Sequence, residues 1–304
     1  MKTWAMRCTL HLLSASEFPL YVAARSTYPA RNWEYYFSYY GITPAEYAAF
    51  IDAVPHILGS VPMTREELAS ALVSSPGIPK LGPLITSSNW GSPLKPPALR
   101  GDLCFGPNQG QNVTFVNPKK WIHNWQSFEP YAALQEIARR YLRTYGPATA
   151  ENFASWWGVG LVPARKLFRS LENELAEVNV EGWHAFALRT TLEPMQNLST
   201  SCEVRLLPLF DAYTFGPGRN SEAHLPGAYK SLVFRPQGWI SAVVLLNGYI
   251  KGVWEYKTQR TQTTVKVRMF STPTASLKHD IEAEAERLGT FLGTKAAVEF
   301  ENSG

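Results

Sequence analysis

Between residues 131 and 191 the apolar positions pass from helical spacing to alternation. Over 131–145, Leu134, Ile137, Ala138, Tyr141 and Leu142 recur three and four apart, as on a helix with one buried face. Gly146-Pro147 stops that helix, because proline cannot continue it and glycine tolerates the left-handed turn. Thr149 stands where an N-cap belongs, with Asn152 three residues on and Phe153, Trp156 and Trp157 behind it. Gly158 and Gly160 close this second helix. Pro163 opens a third, with Leu167, Phe168 and Leu171 on one face and Arg165, Lys166 and Arg169 on the other. Two alternating runs joined through Glu181-Gly182 then predict a hairpin. Three helices followed by a hairpin form a winged helix-turn-helix, and a basic third helix suits a DNA groove. Such units also serve as protein-binding modules, and basic residues on an exposed face are often only solvated charge.

The chain opens differently. Over 1–13, Trp4, Met6, Cys8, Leu10 and Leu12 alternate with polar residues, which predicts one strand with no mate directly after it. A helix is expected over 14–25. The opening strand therefore reads as the last piece of a unit whose beginning is missing. Helices follow over 44–58, capped by Thr43, and over 63–73, opened by the Thr64/Glu67 capping box. A third segment, 82–94, is interrupted by Gly91 and Pro93. Strands over 99–105 and 113–116 flank a glycine-containing tip, so 43–116 predicts a second, looser winged helix.

From Cys202 onward short β-type runs take over, at 204–210, 229–234, 240–246, 249–255 and 263–270, with Asn247-Gly248 a strong hairpin signal. Strands at this spacing predict a small barrel or curled sheet. The helix over 274–292 carries Leu277, Ile281, Ala285, Leu288 and Leu292 on one stripe and is expected to pack on it. The fold class is thus α+β: tandem winged helix-turn-helix units followed by a small C-terminal β-barrel with a packing helix. The expected domains are 1–42 (remnant of a first unit plus linker), 43–126, 127–201 and 202–304.

Composition adds limits. The 304 residues hold 29 Lys and Arg against 25 Asp and Glu, so any DNA-binding surface must be local. Three widely spaced cysteines show no metal spacing and fit a reducing compartment. No signal pattern and no run of 18 apolar residues is present, so a soluble cytoplasmic protein, associated with the nucleoid, is expected. No metal cluster, phosphate loop or nucleophile motif appears, and no cofactor is expected. What remains are polar residues in apolar settings. Arg7, Thr9 and His11 share one side of the opening strand, as surface groups or as a site. Asp211 and Tyr213 follow the apolar run VRLLPLF, either as a site or as a turn cap and a packed ring.

WAMRCTLHLL, YLRTYGPATAENFASWWG, RLLPLFDAYTFGPGR and NGYIKGVWEYK occur in this order across nearly the whole chain. These stretches resemble the AlkZ/YcaQ-like winged-helix proteins. That resemblance implies three tandem winged helices around DNA, a small β-barrel, and removal of alkylated or cross-linked bases. It matches Arg7, Thr9 and His11 to an R-G-T-L-H strand, with Cys8 in place of the glycine. It also matches Asp211, Tyr213, Gly216 and Arg219 to a D-x-Y-x-x-G-x-x-R segment. The family's catalytic Gln-x-Gln segment lies upstream of R-G-T-L-H, where this sequence has only residues 1–6, so a truncated start is expected, with DNA binding at best and base excision severely reduced.

The candidate catalytic residues are Arg7, His11, Asp211 and Tyr213. The candidate DNA-binding residues are Arg7, Thr9, His11, Arg100, Lys119, Lys120, Arg165, Lys166, Arg169 and Arg219. The expected partner is damaged double-stranded DNA, bound by a monomer with no membrane role. Two functions stay open: a DNA glycosylase hydrolysing the N-glycosidic bond, or a non-catalytic winged-helix regulator.

Overall fold

The computed structural model describes residues 1–28, 32–75, 78, 80–88, 91–180, 182–196, 203–216 and 224–301. Contacts divide it into two compact units, residues 1–144 with 149–175 and residues 145–148 with 176–304. No helix among the described residues is long and apolar enough to cross a membrane.

The first unit opens with a hairpin where one strand was expected. β1 (Lys2–Trp4) turns back on β2 (Leu10–Leu12), with Thr3 opposite His11. Arg7 (φ 55°) and Cys8 (φ 57°) are left-handed in the turn, which the Ala5 N–H closes by donating to the Thr9 carbonyl at 3.0 Å. Hydropathy alternates straight through this turn, so the pattern concealed the reversal. Glycine fits a positive φ freely; Cys8 holds it at a cost of about 1–2 kcal/mol. β1 also pairs, through Lys2 and Phe105, with the strand Cys104–Phe105, so it has partners on both sides. The expectation of a partnerless opening strand is thereby overturned.

α1 (Phe18–Ser26) and α2 (Trp33–Tyr39) lead into a winged-helix order. α3 (Pro44–Ile57) and α4 (Arg65–Val73) each start at a reciprocal capping box, Thr43/Glu46 and Thr64/Glu67, with β3 (Met63–Thr64) between them. The looser region resolves into α5 (Leu81–Ser87) and, past a 3-10 turn, α6 (Lys95–Leu99). Strand therefore begins only at β4 (Cys104–Phe105), which pairs with β5 (Thr114–Val116). The early start predicted at 99 fails because Pro96 and Pro97 sit comfortably in a helical first turn. The sheet order is β2-β1-β4-β5-β3, and Phe50, Val54, Leu68, Leu72, Leu81, Ile85 and Phe115 form the core beside it.

After α7 (Pro118–Trp121), the second winged-helix order follows. α8 (Pro130–Tyr145) buries Ala133, Leu134, Ile137, Ala138, Tyr141 and Leu142, matching the predicted stripe. α9 (Ala150–Trp157) starts at Thr149, whose side chain accepts from the Asn152 N–H at 3.2 Å. The Asn152 side-chain oxygen Oδ1 accepts from the Thr149 N–H at 2.8 Å in return. α10 (Leu161–Ser170) packs Leu167 and Phe168 inward, and Phe153 meets Tyr141, Trp157 and Phe168 within 6.3 Å. Each such fully buried aromatic contributes about 2–3 kcal/mol. The wing is β6 (Leu175–Val180) with β7 (Trp183–Leu188), and Ala148 adds a one-residue bridge to Phe186. α11 (Leu192–Gln196) follows.

The second unit is not a barrel. β8 (Val204–Leu207) is followed by α12 (Ala212–Phe215) and α13 (Lys230–Val233). Then come β9 (Ala242–Leu246), β10 (Tyr249–Gln259), β11 (Gln262–Met269), α14 (Ala275–Leu292) and β12 (Lys295–Phe300). The sheet order is β12-β11-β10-β9-β8, so β8 and β12 are edges and the sheet stays open. β12 runs parallel to β11, because α14 carries the chain back across one face. Ile281 and Ala285 of α14 cover Val204, Val244, Val265 and Val267, so the helix buries the face that a barrel would bury by closing. The other face, with Val243 and Ile250, is covered by Leu225, Val233 and Ile240. The strand expected over 229–234 is instead a 3-10 turn and α13, with Tyr229 stacked on Phe270 at 4.1 Å.

Candidate nucleic-acid interface

The β1–β2 turn gathers Arg7, Thr9 and His11, though not as alternate residues of one strand. The Thr9 hydroxyl donates to the Met6 carbonyl at 3.0 Å and lies 3.0 Å from His11 Nε2. That nitrogen is also 3.2 Å from the Met6 carbonyl. Arg7 donates through Nη1 to the Trp156 carbonyl at the end of α9. Arg25, which sequence reasoning passed over, donates to the adjacent Trp157 carbonyl at 2.8 Å and lies over the Trp157 ring. Two cations thus meet the negative end of α9 where its last carbonyls lack helical partners. Gly158 makes this contact possible: its φ is +78°, and a Cβ there would lie 2.9 Å from the Arg7 Cα. Arg25 was legible in principle, since it falls on the Phe18, Val22 stripe of α1, and it is only 6% exposed.

This surrounding fixes the chemistry of His11. Burial, then the Arg7 charge, push its pKa down to about 4, with the Met6 carbonyl opposing and Arg25 adding to the fall. The imidazole is therefore neutral at pH 7: a hydrogen-bonding group and a weak base, not a proton donor. The folded value lies below the ordinary 6.5, so the unfolded chain takes up the proton first. The His11 contribution to stability is fully present above pH 6.5 and is lost as pH falls toward 4. Thermal melts across that range are expected to show the decline, and His11→Asn to flatten it.

The predicted basic residues divide by their partners. Asp102, 3% exposed, holds Lys119 at 2.8 Å and Arg100 at 3.1 Å, and Asp52 lies 3.9 Å from Arg100, so the two cations face two carboxylates and are largely cancelled. Arg165 on α10 is paired with Glu151 at 2.8 Å. Lys166 and Arg169 on the same exposed face, and Lys120 on α7, form no ion pair among the described residues. Exposed cations left unneutralised are the ones that can displace counterions from a phosphate backbone.

In the second unit Asp211 caps α12, its carboxylate accepting from the Tyr213 N–H at 2.8 Å. Tyr213 donates its hydroxyl to the Gly248 carbonyl at 2.8 Å, and burial raises its pKa. Asp211 thus shapes the α12 turn, and Tyr213 ties it to the β9–β10 hairpin. Arg219 lies outside the described residues.

Similarity to known proteins agrees with this architecture. The sequence profile of the family described as DNA glycosylase AlkZ-like matches residues 1–291. An interstrand DNA cross-link repair glycosylase of Streptomyces sahachiroi is 38% identical over 269 residues, covering 87% of this chain and 72% of that protein. The solved structure of the DNA glycosylase AlkZ from that organism superposes with a TM-score of 0.89 at 35% identity, over 99% of this chain and 81% of its own. A chain with two winged-helix orders, matched along nearly its whole length, belongs to the AlkZ-like DNA glycosylase family.

Proposed function

We propose that this protein docks on duplex DNA carrying alkylated or cross-linked bases and serves hydrolysis of their N-glycosidic bonds. The observation that carries this is the unpaired Lys166 and Arg169 on α10, the helix before the wing, in a chain of a glycosylase family. These two cations and Lys120 contact phosphates; Arg100, Lys119 and Arg165 contribute less, because acid already neutralises them. Thr9 and His11 present a hydroxyl and a neutral imidazole from a turn that Arg7 fastens to the end of α9. Such groups orient a base or a water without transferring a proton. That suits an N7-alkylated purine, which is already cationic and leaves without a strong general acid. Damaged pairs also open at the least cost, which favours them over intact duplex.

Competition between alkylated and unmodified duplexes of one sequence tests the proposal. Preference for the alkylated duplex supports it. Equal affinity with a footprint at one palindromic sequence contradicts it and favours a regulator.

A further inference from the structure

Two tight turns in the second unit push aromatic rings into solvent. Phe210 (φ 59°) follows β8 in a turn where the Asp211 N–H donates to the Pro208 carbonyl at 3.3 Å. Trp239 follows the second turn, in which Gln237 (φ 59°) and Gly238 (φ 81°) are both left-handed. The Arg235 N–H donates to the Trp239 carbonyl at 2.8 Å, and the Phe210 N–H to the Ile240 carbonyl at 3.3 Å, so the turns are tied together. The rings lie 5.3 Å apart, with Phe210 53% and Trp239 45% exposed. A left-handed backbone is a genuine strain for an aromatic residue, and a fold that only needed a turn has glycine and asparagine for it. Here the strain delivers a large apolar ring to water.

Beside the rings is an open cleft of 380 Å³ lined by Arg235, Pro236, Gln237 and Trp239. Arg235 is exposed and forms no ion pair among the described residues. Exposed π-faces next to a free guanidinium match one ligand chemistry well: a planar base on the ring and its phosphate on the cation. We infer that Phe210, Trp239 and Arg235 form a stacking platform for an unpaired nucleobase of bound DNA. This rests on the DNA-docking function proposed above and adds a contact that needs no base-specific hydrogen bond.

Two duplexes of one sequence test it, one fully paired and one with a single unpaired 2-aminopurine. The unpaired probe is expected to bind about tenfold more tightly, with its emission quenched on binding. Phe210→Ala/Trp239→Ala is expected to lose both the preference and the quenching while its affinity for paired duplex stays within about twofold. Phe210→Tyr and Trp239→Phe keep planar rings and are expected to retain both, which separates stacking from a folding defect. Equal binding of the two probes by the unaltered protein, or a preference surviving in the double alanine variant, overturns the platform alone. Binding of neither duplex overturns the docking function and the platform with it.

Discussion

Lys166→Ala/Arg169→Ala is expected to weaken duplex binding on the order of tenfold to thirtyfold near physiological salt. Both side chains are exposed on α10 and form no ion pair among the described residues, so their charge is available to phosphate. Each phosphate contact removed lowers the slope of log affinity against log salt by about 0.9, so the double variant should lose about 1.8. The loss should be uniform across sequences, because phosphate contacts carry no base information. Arg165→Ala is the internal comparison. Its guanidinium is held by Glu151, and removing it also frees that carboxylate, so its slope should change by less. An unchanged slope in the double variant would remove α10 from the interface.

Gly158→Ala is expected to destabilise the first unit by about 3 kcal/mol and to lower its Tm by roughly 5–10 °C. Two costs add. Alanine resists φ +78°, and its Cβ would lie 2.9 Å from the Arg7 Cα, a backbone atom that cannot swing aside. The hairpin turn would have to lift from the end of α9, taking the Arg7 contact with the Trp156 carbonyl along with it. Gly41→Ala separates the two costs. Gly41 also has a positive φ, +72°, but nothing lies within 4 Å of its Cβ position. Only the conformational part remains there, about 1 kcal/mol. Similar losses at the two sites would mean that the contact at Gly158 gives way easily.

The third-helix region was legible because each signal was local. The Thr149/Asn152 cap, the stripe on α8 and the breaks at Gly158 and Gly160 all act within a few residues. Asn247-Gly248 was legible likewise, with φ of 51° and 84° at the tip of β9–β10. The β1–β2 reversal was a local misreading, hidden by alternation that runs through the turn, whereas the others were long-range. β12 sits at the sheet edge beside β11 only because α14 returns the chain there, and no turn signal announces a parallel partner. The run at 229–234 has strand composition, but Tyr229 docks on Phe270 and donates to its carbonyl at 3.0 Å, so tertiary packing overrode propensity. Among the site residues, charge was readable and availability was not. That Asp102 would hold both Arg100 and Lys119, while Lys166 and Arg169 stayed free, depends on distances that sequence does not contain.

The most direct test of the account is a competition titration, at several salt concentrations, between a duplex carrying N7-methylguanine and its unmodified counterpart, with free base assayed in the same samples. The expected result is tighter binding of the methylated duplex, a steep salt dependence shared by both, and methylguanine released above its spontaneous rate. Indifference to methylation, with no base released and a footprint confined to one palindrome, would contradict damage recognition and leave a sequence-reading winged-helix protein.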